Sequence, residues 1–473
     1  MIRHLSERIQ DLFERYQMER NYLWILLIYA AAMIIAPLSV RMFLPALALI
    51  GGGLAIFGLL FFMKNPGIGF PIIAVSSLLI PFAISTGTQT RINITLLLVM
   101  LLLASWLVKM LIFDKLFSVL PSRAIYAALA FSLSVLLSFG FGQLPWYPTE
   151  AASLFAQLGQ VLLMLMSAGA FILSASRLTN SRWLKWMVFS FIILGGIYAI
   201  GFSVPPLRQY VNRIFQRAVL DSMFWTWLAV LSFGQAWLNT KLKPSIRAIF
   251  ALVSAASIYT VLVTKQSWVS GWLPTAIGIF LMLFLKKPKF AVVSAFLFIA
   301  AITIRFQLIQ NYLFVGDNEY SLLTRVEAWK ILFEIIGQNP IFGVGPANYY
   351  FYTPFYNILG FSVKFNSHNN YIDLLAQVGL LGTGTFIWWL VEIARSGFNL
   401  IKRELEPFEH AYAISALGGL AATLVAAFLG DWIIPFIYNV GMDGFRSSGL
   451  AWIFMGALVF LQFKTSKSYG QDQ

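Results

Sequence analysis

Cysteine is absent from the 473 residues. That excludes disulfides, Fe–S ligation, thiolate zinc sites and any thiol nucleophile. Charge is also scarce: Asp, Glu, Lys and Arg together make up 11% of the chain, and only 19 residues are acidic. A soluble protein of this length needs far more charge to cover its surface. Histidine occurs three times, as His4, His368 and His410, so imidazole chemistry has few carriers. No Asp-x-Asp, His-x-x-His or Walker motif is present, and Asp317-Asn318-Glu319 is a weak metal signal. Neither a metal nor a cofactor is expected. No internal repeat is evident.

What fills the chain instead is apolar: 59% of residues, with mean hydropathy +0.78. Length alone would suggest about three soluble domains, but this composition belongs to a polytopic membrane protein. A spanning helix needs about 20 mostly apolar residues. Fourteen candidate spans follow between residues 23 and 463, among them 42–63, 68–86, 218–239, 268–285 and 370–391. The expected fold is all-α, with about 12–14 transmembrane helices.

Net charge is +14, and the basic residues alternate with the spans. With the N-terminus inside, 22 of the 33 Lys and Arg fall on inner segments and 11 on outer ones, as the positive-inside rule requires. Both termini are then cytoplasmic. The charge is topological and scattered over short loops, which gives no footprint for nucleic acid. The organisation read from the sequence is an amphipathic cytoplasmic segment over 1–22, a helix bundle over 23–309, a long outer loop over 310–369, C-terminal spans over 370–463, and a cytoplasmic tail over 464–473. The first segment is too long and charged for a signal peptide.

Loops of about 60 residues without a span are usually functional. Within this one, Thr324-Arg325-Val326-Glu327 reads as a capping box opening an amphipathic helix that ends near Gly337 and Pro340. Its apolar residues Leu322, Leu323, Val326, Trp329, Leu332, Phe333 and Ile336 suit contact with the membrane or the bundle. Gly343-Val344-Gly345-Pro346 forms a turn, an aromatic run extends from Tyr349 to Tyr356, and Ser367-His368-Asn369-Asn370 ends the loop at the mouth of the next span.

The outer cations run against the topological trend and call for another cause. His368 is the outer histidine, and a neutral imidazole is a competent base near pH 7. Position alone equally fits a polar residue at a helix start. Arg325 offers a planar fork suited to phosphate, or a solvated surface charge. Arg208, Arg213 and Arg217 form a second cluster; if helical, Arg213 and Arg217 share a face with Asp221 one turn further on. Arg217–Asp221 equally reads as a boundary ion pair. Lys265 and Arg446 are further outer cations, with Asp431 and Asp443 near Arg446, and structural pairing fits them too. Together these residues suit a lipid-linked phosphate substrate.

Two stretches carry a resemblance. One is Thr324-Arg325-Val326-Glu327-Ala328-Trp329 followed by Asn339-Pro340-Ile341-Phe342-Gly343-Val344-Gly345-Pro346; the other is Ser367-His368-Asn369-Asn370-Tyr371 through Leu380-Leu381-Gly382. In order and loop context they resemble the signature region of the O-antigen ligase and O-antigen polymerase superfamily. The resemblance implies a metal-independent glycosyltransferase of the bacterial cytoplasmic membrane, moving a glycan from undecaprenyl diphosphate to an acceptor hydroxyl on the outer face. It implies His368 and Arg325 at the catalytic centre, and diphosphate contacts from Arg217, Arg213, Lys265 and Arg446. The family often carries Ser-Arg-Gly where this chain has Thr264-Lys265-Gln266-Ser267, and lysine lacks the bidentate fork. The partners implied are the lipid-linked donor, a glycan, lipid or protein acceptor, and the bilayer. A flippase for lipid-linked sugars is the competing reading; it fits the span count but not the long loop or the lack of repeats.

Overall fold

The computed structural model describes residues 43–85, 91–115, 119–265, 267–304 and 317–469. The amphipathic segment 1–22, the first candidate span 23–40, and Arg41 and Arg305 lie outside the described residues. Two compact units are present, Met1–Pro66 with Ala104–Leu116, and Gly67–Leu103 with Phe117–Gln473. In the first, the described residues form helix α1 (Phe43–Lys64) and the end of α3 (Ile94–Val108), which runs into a π-turn at Lys109–Phe113.

The second unit carries every candidate site residue. In chain order it contains α2 (Gly69–Leu79), a hairpin of β1 (Ala83–Ser85) and β2 (Arg91–Asn93), the start of α3, α4 (Arg123–Phe141), α5 (Leu154–Arg177), α6 (Ser181–Ser203), α7 (Pro205–Ile214), α8 (Ser222–Leu238), α9 (Pro244–Tyr259), α10 (Val269–Lys286) and α11 (Pro288–Ile304). It then continues through α12 (Asp317–Gln338), α13 (Tyr349–Tyr352), α14 (Asn370–Leu400), α15 (Pro407–Leu429) and α16 (Phe445–Tyr469). Among the described residues, nine helices are long and apolar enough to cross a membrane. The protein is an all-α, multi-pass membrane protein.

Among the described residues, two of the expected spans differ from helices of that length. The span read over 68–86 stops at Leu79, because Ile84 and Ser85 pair with Ile92 and Arg91 in the hairpin. Pro81 cannot continue the helix, whereas hydropathy registers only that the run is apolar. The span read over 218–239 is a helix of 17 residues, fully covered along most of its length by its neighbours.

The apolar part of α16 is wholly buried, so this helix forms the axis of the unit. Close approach depends on small residues, as is usual between membrane helices. A Cβ added at Gly456 would lie 2.0 Å from Ser174 Oγ on α5. Trp452 stacks on Trp389 at 4.0 Å and donates from Nε1 to the Ile433 carbonyl at 2.9 Å, which anchors the segment between α15 and α16 to the axis.

Segments read as inner meet one another through charged side chains. Lys464 meets Glu409 at 2.8 Å, Lys286 meets His410 at 2.6 Å, and Lys241 pairs with Glu406. Helix α7, Lys265, α12, His368 and most of the 430–445 segment belong to loops read as outer.

Candidate active site

Helix α12 starts at Asp317, seven residues before the capping box read at Thr324. Arg325 therefore stands inside the helix, on its third turn, and the anion-favouring helix start expected beside it lies elsewhere. The stripe facing the bundle is Ala328, Ile331, Leu332, Ile335 and Ile336, packed with Val344, Tyr349, Tyr352, Ile372 and Phe436. Leu323, Val326 and Phe333, read as part of one apolar face, are more than a third exposed.

The helix ends at Gln338, and the Asn-Pro…Gly-Val-Gly-Pro stretch then serves as a latch. Gly343 and Gly379 both have positive φ, +73° and +63°, and a Cβ at Gly379 would lie 2.3 Å from the Ile341 carbonyl oxygen. Across this contact Val344 N donates to Ala376 O at 2.9 Å, Gly345 N to Gln377 O at 3.1 Å, and Leu380 N to Pro340 O at 2.8 Å. The price is a break in α14 at Gly379, where the sequence suggested an uninterrupted span from 370. The short first part of α14, capped by Asn369 Oδ1 on Tyr371 N at 2.9 Å, is thereby aimed independently of the membrane-crossing part.

His368 sits immediately before this cap with φ +49°, a left-handed conformation uncommon outside glycine. Its neighbours are pinned on each side. Ser367 Oγ reaches Asp373 Oδ1 at 2.7 Å, and Tyr349 OH donates to the same oxygen at 2.5 Å. Asp373 is thus spent on the loop. Asn370 Nδ2 donates to Ile434 O at 2.7 Å, while its Oδ1 accepts from Ile433 N at 3.0 Å, bringing the 430–445 segment against the histidine.

Arg325 and His368 converge here. Arg325 Nη1 donates to Leu429 O at 3.3 Å, at the end of α15. One helical turn further along α12, Trp329 Nε1 donates to Ser367 O at 2.8 Å and its ring meets Phe428 edge-on at 5.6 Å. Arg325 Nε is buried with no hydrogen-bond partner among the described residues. A guanidinium donor held dry and unused is costly unless something else accepts from it.

Asp431 is the buried acid between them, and the sequence reading assigned it only to pairing with Arg446. Its Oδ2 accepts from Phe436 N at 3.0 Å and its Oδ1 from Asn439 Nδ2 at 2.8 Å. Burial pushes its carboxyl pKa up, opposed by these hydrogen bonds and by His368. Burial holds the His368 imidazole below its usual 6.5; Asp431 pushes it up, and Arg325 pushes it down. The imidazole is therefore neutral near pH 7, the form a general base needs. The sequence signal for Asp431 was an acid directly after a span, in Gly430-Asp431-Trp432.

The second cluster is arranged differently from the helix expected over Arg213 to Asp221. Helix α7 ends at Ile214, and Gln216 N donates instead to Leu78 O at 2.8 Å, so Arg217 opens a separate 3-10 turn. Arg213 and Arg217 do not share a helical face. Arg213 is exposed, and Arg217 enters a cavity beside the 437–443 segment. Asp221 is buried and accepts from Ser447 Oγ at 2.7 Å; burial pushes its carboxyl up to about 7, against the pull of that hydrogen bond and Arg217. Lys265 lies 5.0–5.3 Å from the centres of the Phe202, Trp225 and Trp268 rings, an aromatic cage for its ammonium. Burial lowers its pKa and Asp221 raises it. Arg446 is buried, and its guanidinium is used by Ser77 O, Ile80 O and Phe82 O at 3.4, 3.0 and 3.2 Å. It stitches α16 to the end of α2 and the entry to the hairpin.

Residues 246–387 match the family model described as O-Antigen ligase. Over that stretch, which is under a third of the chain, the protein is similar to the O-antigen ligase family. The match takes in Lys265, Arg325, the glycine latch and His368, and the geometry above accounts for why the two signature stretches occur together. Asp431, Arg217 and Asp221 lie outside the O-antigen ligase match and reach its residues only through the fold. No curated protein matches the chain. Among the described residues no group of three or more His, Cys, Asp or Glu is placed to hold a metal.

Proposed function

We propose that the protein transfers a glycan from undecaprenyl diphosphate to an acceptor hydroxyl at the outer face of the bacterial cytoplasmic membrane. The observation that carries this reading is the convergence of Arg325 and His368 about Asp431, from segments joined by the glycine latch. His368 takes the proton of the acceptor hydroxyl as its oxygen bonds to the anomeric carbon. The bond from that carbon to the diphosphate oxygen breaks, and the lipid diphosphate leaves carrying the electron pair. Charge on the leaving diphosphate is held by Arg325, Arg217 and Lys265 rather than by a metal. A single displacement inverts the anomeric centre. Asp431 orients the imidazole and stabilises it once protonated, as the carboxylate of a hydrolase triad does.

Arg446 is assigned the carbonyl contacts described above, and Arg213 a place at the outer membrane surface. The positive φ at His368 agrees with strain concentrated at a functional residue. The test is incubation of purified protein with a defined undecaprenyl-diphosphate glycan and acceptors of three kinds: a second lipid-linked repeat, a lipid A core and a peptide. A product mass equal to acceptor plus glycan supports the reading and names the acceptor. Donor consumed by none of them, or carried across the bilayer with no new glycosidic bond, contradicts it.

A further inference from the structure

Arg91 has no part in the scheme above. It is the first residue of β2, two positions before Asn93, and side chains two apart on a strand share a face. Asn93 is fully buried: its Nδ2 donates to Met442 O at 2.6 Å, and its Oδ1 accepts from Leu96 N at 3.0 Å at the start of α3. These bonds turn that face of the strand toward the 437–443 segment. Arg91 consequently lines a cavity of about 400 Å³ walled by that segment with Ser153, and Arg217 lines the same cavity from the turn after α7.

Both arginines are exposed to the cavity, and neither has a carboxylate within ion-pair distance among the described residues. The acids nearby are otherwise engaged. Asp443, in the wall, has a carboxylate oxygen 3.9 Å from Arg446 Nε, and Asp221 is buried against Ser447. Two arginine forks, neither in an ion pair among the described residues, face one cavity beside Ser153, Tyr438, Asn439 and Asp443 and are suited to phosphate oxygens, which accept paired N–H donors. Asn439 is also the residue that binds Asp431, so the cavity adjoins the carboxylate facing His368.

We propose that Arg91 and Arg217 together hold the diphosphate of a lipid-linked substrate in this cavity, Arg91 being presented by the hairpin. The anion site stands on the geometry alone; its assignment to the glycan donor rests on the function proposed above. The hairpin then has a definite purpose, which is to bring a cation from the α2–α3 connection to a substrate otherwise handled by segments much later in the chain.

The test measures binding of farnesyl diphosphate and of inorganic pyrophosphate to the full chain in nanodiscs, for wild type, Arg91→Gln, Arg91→Lys and His368→Ala. Farnesyl diphosphate affinity should fall at least tenfold in Arg91→Gln, recover partly in Arg91→Lys and stay unchanged in His368→Ala. With a lipid-linked glycan as donor, Arg91→Gln should raise KM in parallel and leave kcat within about threefold. Wild-type affinity in correctly folded Arg91→Gln overturns the proposal, as does a wild-type protein that binds neither probe. Pyrophosphate binding as tightly as farnesyl diphosphate overturns the lipid-linked assignment. Arg91-dependent binding in a wild-type protein that transfers no glycan supports the anion site while contradicting the transfer reaction.

Discussion

The Trp329 indole donates to the carbonyl of Ser367 across 2.8 Å, and this bond joins the helix of Arg325 to the loop of His368. Trp329 follows Arg325 by one turn, and Ser367 directly precedes His368, so the spacing of the two candidate groups depends on it. Trp329→Phe keeps the ring against Phe428 and removes the donor. A buried carbonyl left unpaired costs about 1–3 kcal/mol. Glycan transfer should fall roughly tenfold or more through kcat, with donor affinity nearly unchanged, in steady-state assays of the purified protein.

Asp431 acts on the ionisation of His368 against the larger effect of burial. Its charge raises an imidazole pKa that burial lowers, so Asp431→Asn should shift the acid limb of the kcat/KM profile to lower pH. The maximal rate should also drop, on the order of 10²-fold, since an oriented base contributes about 10²–10⁴-fold. A profile with the wild-type acid limb would show that the two groups do not communicate.

A stability measurement bears on Asp221. Its carboxyl is raised from 3.8 to about 7 by burial, with Arg217, Asp431 and Asp443 as the other charges acting on it. A group whose folded pKa is raised stabilises the folded state below its unfolded pKa, and that contribution is lost as pH climbs to the folded value. The buried carboxylate is thus most costly above pH 7. Asp221→Asn should raise the unfolding midpoint relative to wild type more at pH 8 than at pH 5. Equal shifts at both pH values would contradict the assignment.

Gly379→Ala tests the latch. An alanine there must adopt φ near +63° with its Cβ against Ile341 O. The backbone conformation alone, with ψ near 180° and essentially restricted to glycine, costs about 1–3 kcal/mol, and the overlap adds to it. A lowered unfolding midpoint and strongly reduced transfer are expected. Gly384→Ala, with nothing within 4 Å of the added carbon, should change neither.

These features were unequally visible in the sequence. The spans were plain because apolar length is a direct requirement of the bilayer, and the alternation of basic residues sorted the loops to two ends. Arg325 and His368 were legible through their signature stretches. Those stretches did not disclose that their glycines act sterically, packing Gly343 against the break at Gly379. Asp431 escaped because one acid after a span carries no pattern; only the Asn439 and Phe436 bonds give it a direction. The strands of the hairpin were absorbed into apolar runs; Arg91 was read as outer, but its place beside Arg217 depends on the Asn93 bond to Met442. Helix α7 stops before Arg217 because Gln216 bonds to Leu78, a partner some 140 residues earlier that no local spacing reveals.

The central claim is that His368 removes the acceptor proton beside Arg325. The most direct measurement is single-turnover transfer from a defined undecaprenyl-diphosphate glycan by His368→Ala and Arg325→Ala, read by product mass beside parallel donor binding. The account predicts product formation slowed by at least about 10² in His368→Ala with donor binding retained, and loss of both transfer and tight donor binding in Arg325→Ala. Transfer at the wild-type rate by correctly inserted His368→Ala would contradict it.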